Sequence, residues 1–443
     1  MKRTRLTAGV ATSMTLALAL TACGSGTDSG DGGSEGGTPE AADITLWLNG
    51  SDTPDELRDF LVAEFAEENP GSTLTIEEQD WEDVVTKLTT ALPDAQNTPD
   101  VVEIGNTQAA TFTYAGAFRE ISPELYAELG GEKLLPSFVE AGSIDDAKYA
   151  LPYYYGSRYM FFRKDLWTKA GLEVPTTLQE FGDAVQELRT DERSGFALGG
   201  QDWRNGISWV FANDGELAVK EGDEWTSTLS DPSTVKGLEQ WQDVFAEASN
   251  LPPTQTDEAY WEFLNDPEKG GEPEGATIMA PGWARWSLGD LTKNDEGDEV
   301  RDGMADTKKF DIFALPGVDG GVAPVFAGGS NLAVSAKSQH PELAESLLRI
   351  IYSDDYQTML AENGLGPANT DFNEVMAADK FGEVAVETAE ASKLTPAAPG
   401  WAAVEGAKVY EELFQKIAEG GDVTALAAQY DEKLTPMLNG QAG

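Results

Sequence analysis

The chain reads as an α/β protein of two lobes, and three observations predict it. Its 443 residues exceed what one hydrophobic core ordinarily organises, at roughly 100–200 residues per domain. Apolar residues at 40% and aromatics at 9%, with eleven Trp, supply enough material for two cores and exclude a disordered body. Short β-rich runs alternate with amphipathic stretches, the pattern of mainly parallel sheets covered by helices on both faces.

The amino terminus stands apart from this body. Lys2, Arg3 and Arg5 precede an apolar stretch from Ala8 to Leu20 that is too short to span a bilayer, so 1–22 is read as a secretory leader. It ends in Leu20-Thr21-Ala22-Cys23, which resembles the lipobox of bacterial lipoproteins and makes Cys23, the sole cysteine, the expected lipidation site. Residues 23–42, rich in Gly, Ser, Asp and Glu, form a flexible linker to the membrane. Removal of the leader makes the chain three charges more negative than its formal −48, which argues against nucleic acid and against anionic lipid as partners. Contact with the membrane is therefore expected through the anchor alone.

Ile44 to Leu48 predicts a buried strand that runs into the loop Asn49-Gly50-Ser51-Asp52. A helix follows, with Thr53 as N-cap, Pro54 at the first position and Glu56 closing a capping box; Leu57, Phe60, Leu61 and Phe65 share its inner face. A strand at 74–77, a helix with Trp81, Val84, Val85 and Leu88 inward, and a strand at 101–104 continue the alternation. Ligands of parallel sheets gather at the carboxyl ends of strands, which directs attention to the loops at 49–52, 79–81 and 105–108. Further on, the pattern predicts a strand at 159–163, a helix from Asp165 stopped by Gly171, and a helix capped by Thr177 with Glu180 three residues on. Leu217 to Leu229 reads as a hairpin, 276–280 and 330–336 as strands, Pro341 as a helix start, and 401–417 and 423–438 as terminal helices.

In sequence order, Trp47-Leu48-Asn49-Gly50, Pro99-Asp100-Val101-Val102, Tyr149-Ala150-Leu151-Pro152, Phe162-Arg163-Lys164-Asp165-Leu166 and Gly328-Gly329-Ser330-Asn331-Leu332-Ala333-Val334 resemble extracellular solute-binding proteins of the maltose-binding type. The resemblance covers nearly all of 43–443 and implies a two-lobed periplasmic-binding-protein-like fold (type II) with hinge crossovers. It divides the chain into a first lobe of 43–153 and 316–364 and a second of 154–315 and 365–443. It also implies the function: a monomer that closes over a short oligosaccharide and delivers it to the permease subunits of an ATP-driven (ABC) importer, without a cofactor.

The site residues follow from the same resemblance, joined to the chemistry of sugars, whose C–H faces stack on aromatic rings and whose hydroxyls take directed hydrogen bonds. Trp283 and Trp401 match stacking positions, with Arg285 beside the first; Trp286 is expected in the core. Asp202 and Trp203 match a carboxylate and a ring of the second lobe, Ser51, Asp52, Asn106 and Gln108 match polar positions of the first, and Gly329 and Asn331 stand in its return segment. Ile104 and Gly156 replace a Trp and a carboxylate of the maltose-binding pattern, so long maltodextrin is not the expected ligand. The crossover Tyr153-Tyr154-Tyr155-Gly156-Ser157-Arg158 and the loop Asp80-Trp81 look like actinobacterial binding proteins for N-acetylglucosamine oligomers such as chitobiose, which adds Tyr155, Arg158, Asp80 and Trp81 to the set.

Two other classes compete. A glycoside hydrolase needs a placed carboxylate pair, which 78 acidic residues neither support nor exclude, and no nucleophile motif is present. A ferric-iron binder could use Tyr154 and Tyr155, but no matching His or second Tyr pair accompanies them, and the acidic stretch 290–302 fails the calcium-loop pattern. No metal site is expected.

Overall fold

A computed structural model of the chain describes residues 40–267, 270–294 and 297–441; the leader, Cys23 and residues 23–39 of the linker lie outside the described residues. Strand β1 (Asp43–Asn49) leads to helix α1 (Asp55–Glu68), then β2 (Thr73–Gln79), α2 (Val84–Ala91), β3 (Val101–Gly105) and α3 (Asn106–Tyr114). β1 pairs in parallel with β2 and with β3, as βαβ connections require. Strands β4 (Ala150–Gly156), β8 (Gly328–Val334) and β9 (Gly366–Pro367) complete a six-stranded sheet in the order β9-β4-β8-β3-β1-β2. Its core joins Ile44, Leu46 and Leu48 of β1 to Leu57, Leu61 and Phe65 of α1 and to Leu343, Leu347 and Ile351 of the helix Pro341–Ile351.

The second sheet is built from β5 (Arg158–Arg163), β6 (Thr277–Pro281) and β7 (Phe310–Phe313), in the order β6-β5-β7. Both of its pairings are antiparallel, and so are three of the five in the first sheet, those of β8 with β3 and β4 and of β9 with β4, which corrects the mainly parallel sheet expected for each lobe. Hydrophobic periodicity reports burial, whereas strand direction is set by long connections whose path leaves no local pattern. Helices Leu178–Leu188, Trp203–Ala212, Pro232–Ala248, Trp401–Gly406, Val409–Ala418 and Val423–Leu438 pack around a core rich in large rings, Trp167, Trp203, Trp209, Trp241 and Trp401 all being fully buried.

Local expectations meet the structure unevenly. Thr177 caps its helix by accepting from Glu180 N, and Glu180 accepts from Thr176 N at 2.8 Å. Gly171 ends the helix before it at φ 78°, and 218–227 is a hairpin turned by Gly222. Thr53, in contrast, caps nothing: Pro54 is the N-cap of α1, and the Thr53 hydroxyl bonds to Tyr153 OH at 2.9 Å inside the first lobe.

The lobe boundaries also shift. Tyr154 to Gly156 extend β4, so they belong to the first sheet. Leu315, Ala323, Val325 and Phe326 pack in the second core, not the first, and Gly366 and Pro367 pair with β4 in the first sheet, not the second. The crossings fall within or beside strands, where composition does not change. At the first of them a single residue, Ser157, separates β4 from β5; its hydroxyl donates to Ala385 O at 2.7 Å.

Where β8 passes β4 the register shifts at Ser330/Asn331, and Gly329 takes φ 138°. A Cβ there would collide with Tyr154 O and lie 2.9 Å from Tyr155 Cα. Gly329→Ala is therefore expected to lower stability by more than about 2 kcal/mol, read as a fall in the urea midpoint at unchanged slope.

Candidate functional site

The parallel strands bring the carboxyl ends of β1, β2 and β3 to one edge, and the three loops singled out in the sequence meet there. The Trp81 indole is the centre of this face. It runs past Gly50 and Gly105, where an added Cβ would lie 3.1 Å from Cδ1 and 3.4 Å from Cζ3 respectively. Glycine at both positions lets a ring settle on bare backbone. Trp81 Nε1 and Tyr154 OH both donate to Asp52 Oδ2 at 2.9 Å, which fixes ring and carboxylate together. Trp81 remains 37% exposed, and Ser51, Asp52 and Asp80 are exposed beside it.

Below that face lies Glu103 on β3, fully buried and accepting from Asn49 N at 2.7 Å. Burial pushes its carboxyl up to about 7, and the nearby Asp52 charge adds to the shift.

The second lobe presents charged groups. Pairing of Pro281 with Arg158 and donation from Gly282 N to Ser157 O, at 3.0 Å, bring the end of β6 to the start of β5. Arg158 lies 3.8 Å from Asp257 and donates to Asn205 Oδ1 at 3.1 Å. Arg204 lies 3.6 Å from the same Asp257 and 3.9 Å from Glu405. Glu405 in turn accepts from Thr107, at 3.1 Å, and from Gln108 of the first lobe, so the two faces meet through this carboxylate. Trp283, 55% exposed, stands just past β6 with its ring 5.0 Å from that of Trp261.

The structure thus brings Ser51, Asp52, Asp80 and Trp81 together on the first-lobe edge, and Gln108 is linked through Glu405, Arg204 and Asp257 to Arg158, while Trp283 stands past β6 against Trp261. Other expected contacts are corrected. Trp203 and Trp401 lie in the second core, their rings 6.2 Å apart and each within 5.5 Å of Tyr410; they are short of surface for a ligand because helix packing consumes it. Asp202 is buried as the N-cap of the helix Trp203–Ala212, accepting from Asn205 N at 3.1 Å, and burial with the Asp257 charge raises its carboxyl well above the usual range. Asn106 and Asn331 are buried amides that donate to Ala327 O and Phe138 O at 2.9 and 2.8 Å, tying strands to their neighbours. Gly329 serves the strand crossing described above.

Tyr155 is buried and donates to Asn373 Oδ1 at 2.9 Å, whereas Tyr154 reaches Asp52; the adjacent phenols have different partners and do not form a pair. Burial raises the pKa of both. Arg285 lies 3.8 Å over the Phe381 ring and pairs with Asp379 at 3.4 Å. Trp286, expected in the core, is 64% exposed, because the segment 282–287 is a 3₁₀ turn with a different period from an α-helix.

Sequence reasoning did not single out Thr107, Arg204, Asp257, Trp261 and Glu405, and it weighed Tyr154 only as a ferric-iron ligand. Glu405 lies one helical turn beyond Trp401 and Arg204 directly follows Trp203, so both were adjacent to quoted motifs; Asp257 sits in an irregular loop that carries no pattern. Among the described residues no group of His, Cys, Asp and Glu is arranged to hold a metal ion. Aromatic rings beside carboxylates, amides and guanidinium groups suit a neutral, hydroxyl-rich solute.

Two α/β lobes that meet at a polar face bearing aromatic rings define the class of two-lobed solute-binding proteins. The chain belongs to the bacterial extracellular solute-binding protein family, whose model matches residues 50–358. It is 30% identical over 398 residues to the diacetylchitobiose-binding protein DasA of Streptomyces coelicolor, 88% of each chain being covered. It is also similar in structure to the sugar-binding protein MalE of Xanthomonas citri, with a TM-score of 0.73 at 20% identity over 89% of this chain and 97% of that one. The GacH receptor of Streptomyces glaucescens gives 0.72 at 19% identity over 91% and 100%. The fold is shared with both of these solved structures. Among the described residues no helix is long and apolar enough to cross a membrane.

Glu103 supplies a pH test. Its folded value, about 7, lies above the ordinary 4.5, so the fold favours the protonated form. Its contribution is complete below the ordinary value and is lost as pH rises through about 7. Glu103→Gln is expected to stabilise the protein at pH 8 by up to about 3 kcal/mol and to gain little at pH 4.5. Urea midpoints of both proteins across this range check it, and an equal difference at both ends would refute it.

Proposed function

We propose that the chain is the extracellular carbohydrate receptor of an ATP-driven importer and that its ligand is a short oligosaccharide of the N-acetylglucosamine type. The observation that carries this reading is 30% identity to a diacetylchitobiose-binding protein across 88% of both chains. Trp81 and Trp283 are the stacking rings in this reading. Ser51, Asp52, Asp80, Gln108 and Arg158 hold hydroxyl and acetamido groups, with amide and guanidinium donors meeting carbonyl oxygens and carboxylates accepting from hydroxyls. Sugar that touches both lobes favours the closed form in proportion to its preference for that form, and the closed form is what the permease reads.

The protein is a lipid-anchored monomer in this reading, with the diacylglyceryl group on Cys23 after cleavage of 1–22. The acidic surface keeps the receptor soluble above the membrane in this reading.

Titration calorimetry of the secreted chain carrying Cys23→Ser against N,N′-diacetylchitobiose, cellobiose and maltose tests the ligand. Binding is expected for the first, with at least tenfold weaker binding of the others; failure of all three to bind refutes the carbohydrate assignment. Trp81→Ala and Trp283→Ala are each expected to weaken binding by about tenfold or more, as loss of a stacking ring costs 1–2 kcal/mol, with the thermal midpoint nearly unchanged. For the anchor, Cys23→Ser is expected to move the protein from the membrane fraction to the medium in cells that express it; continued membrane association of that variant overturns the assignment.

A further inference from the structure

Among the described residues, the two most exposed large apolar side chains are Trp286 and Trp283. Trp283 belongs to the proposed stacking pair, whereas Trp286 is left without a role. Both stand on the 3₁₀ turn Gly282–Ser287 that follows β6. Side chains three residues apart eclipse in a 3₁₀ helix, and a rise of about 2.0 Å per residue sets them about 6 Å apart along its axis. The two indoles therefore leave the turn on one side, one behind the other, at a spacing of the order of one sugar unit.

Trp286 is braced where it stands. The Arg285 guanidinium lies 4.8 Å from its ring centroid and 3.8 Å from that of Phe381, so one cation joins the two rings. Arg285 is itself tied down by Asp379 at 3.4 Å and by donation from Nε to Gly303 O, also at 3.4 Å. Gly303, at φ 66°, leaves bare backbone against the indole: a Cβ there would come within 2.8 Å of Cε3. The arrangement repeats that of Trp81, which is seated on Gly50 and Gly105. A ring stranded at the surface by chance would have no such supports, whereas a platform that must lose little freedom on binding requires them. With these supports in place Trp286 is still 64% exposed, so ring surface remains free for a ligand.

We propose that Trp286 is the stacking ring of a further sugar subsite, so that the receptor prefers a trisaccharide to a disaccharide. The inference rests on the carbohydrate reading above and adds chain length to it. A disaccharide occupies Trp81 and Trp283, and a third N-acetylglucosamine unit, running outward along the turn, lays its C–H face on Trp286. Stacking of this kind places no directed demand on hydroxyls, so the subsite selects for length and leaves the choice of substituents to the polar groups of the first lobe.

Titration calorimetry of the secreted chain carrying Cys23→Ser, against N,N′-diacetylchitobiose and N,N′,N″-triacetylchitotriose, tests it. The parent is expected to bind the trisaccharide about tenfold more tightly than the disaccharide. Trp286→Ala is expected to erase that advantage while leaving the affinity for the disaccharide and the thermal midpoint nearly unchanged, and Trp286→Phe, which keeps a ring, to retain part of it. Equal affinities of the parent for the two sugars overturn the subsite. An equal loss for both sugars in Trp286→Ala also overturns it, because the ring would then serve only to support the first site. Failure of both sugars to bind removes the carbohydrate reading and the subsite with it, whereas either of the preceding outcomes removes the subsite alone.

Discussion

Ser157 alone stands between the last strand position of the first sheet and the first of the second. A crossing this short leaves the lobes no freedom to drift apart in translation, only to rotate about a line through the junction. Its hydroxyl is tied to Ala385 O on the helix Lys380–Ala391, and its carbonyl accepts from Gly282 N, so the pivot is held by two elements of the second lobe. The close placement of Arg158, Gly282 and Trp283 follows from this junction, and so does the meeting of Glu405 with α3. A looser connection would leave each face of the site intact and the pair of them unaligned.

On the first face, specificity of shape precedes specificity of charge. Two glycines, at 50 and 105, open the space in which Trp81 lies, and Asp52 locks the ring by accepting from its indole and from Tyr154. An aromatic platform held in this way loses little freedom when a ligand covers it. On the second face the order is reversed: Arg158 and Arg204 flank Asp257, and the rings beside them, Trp203 above all, are committed to the core. Each lobe also buries one carboxyl, Glu103 or Asp202, whose pKa rises through lost hydration. Those groups sit under the faces and shape them through hydrogen bonds to Asn49 and Asn205.

Much of this was legible in the chain because it depends on neighbours in sequence. β1, the helix cap at Thr177, the stop at Gly171 and the loop edges of the first sheet all follow from local pattern and stereochemistry. What escaped depends on contacts distant in sequence. Trp283 and Trp401 both follow a Pro-Gly pair, yet one is exposed at the end of a strand and the other is covered by helices that arrive from elsewhere. Thr53 has the identity of a cap, but a buried tyrosine hydroxyl competes for its oxygen and wins. Asp257 and Glu405 matter only because Arg204 and α3 are folded against them. Strand direction in the second sheet falls in the same class.

The distribution of tryptophan has an optical consequence. Five of the eleven indoles are sealed inside the second core, whereas Trp81, Trp283 and Trp286 face solvent. Emission from this protein is therefore a sum of a large, blue, environment-insensitive component and a small, red, quencher-accessible one. Only the latter can register what happens at the faces between the lobes. A difference spectrum, or selective quenching by a polar solute, would isolate that component, where total intensity would bury it.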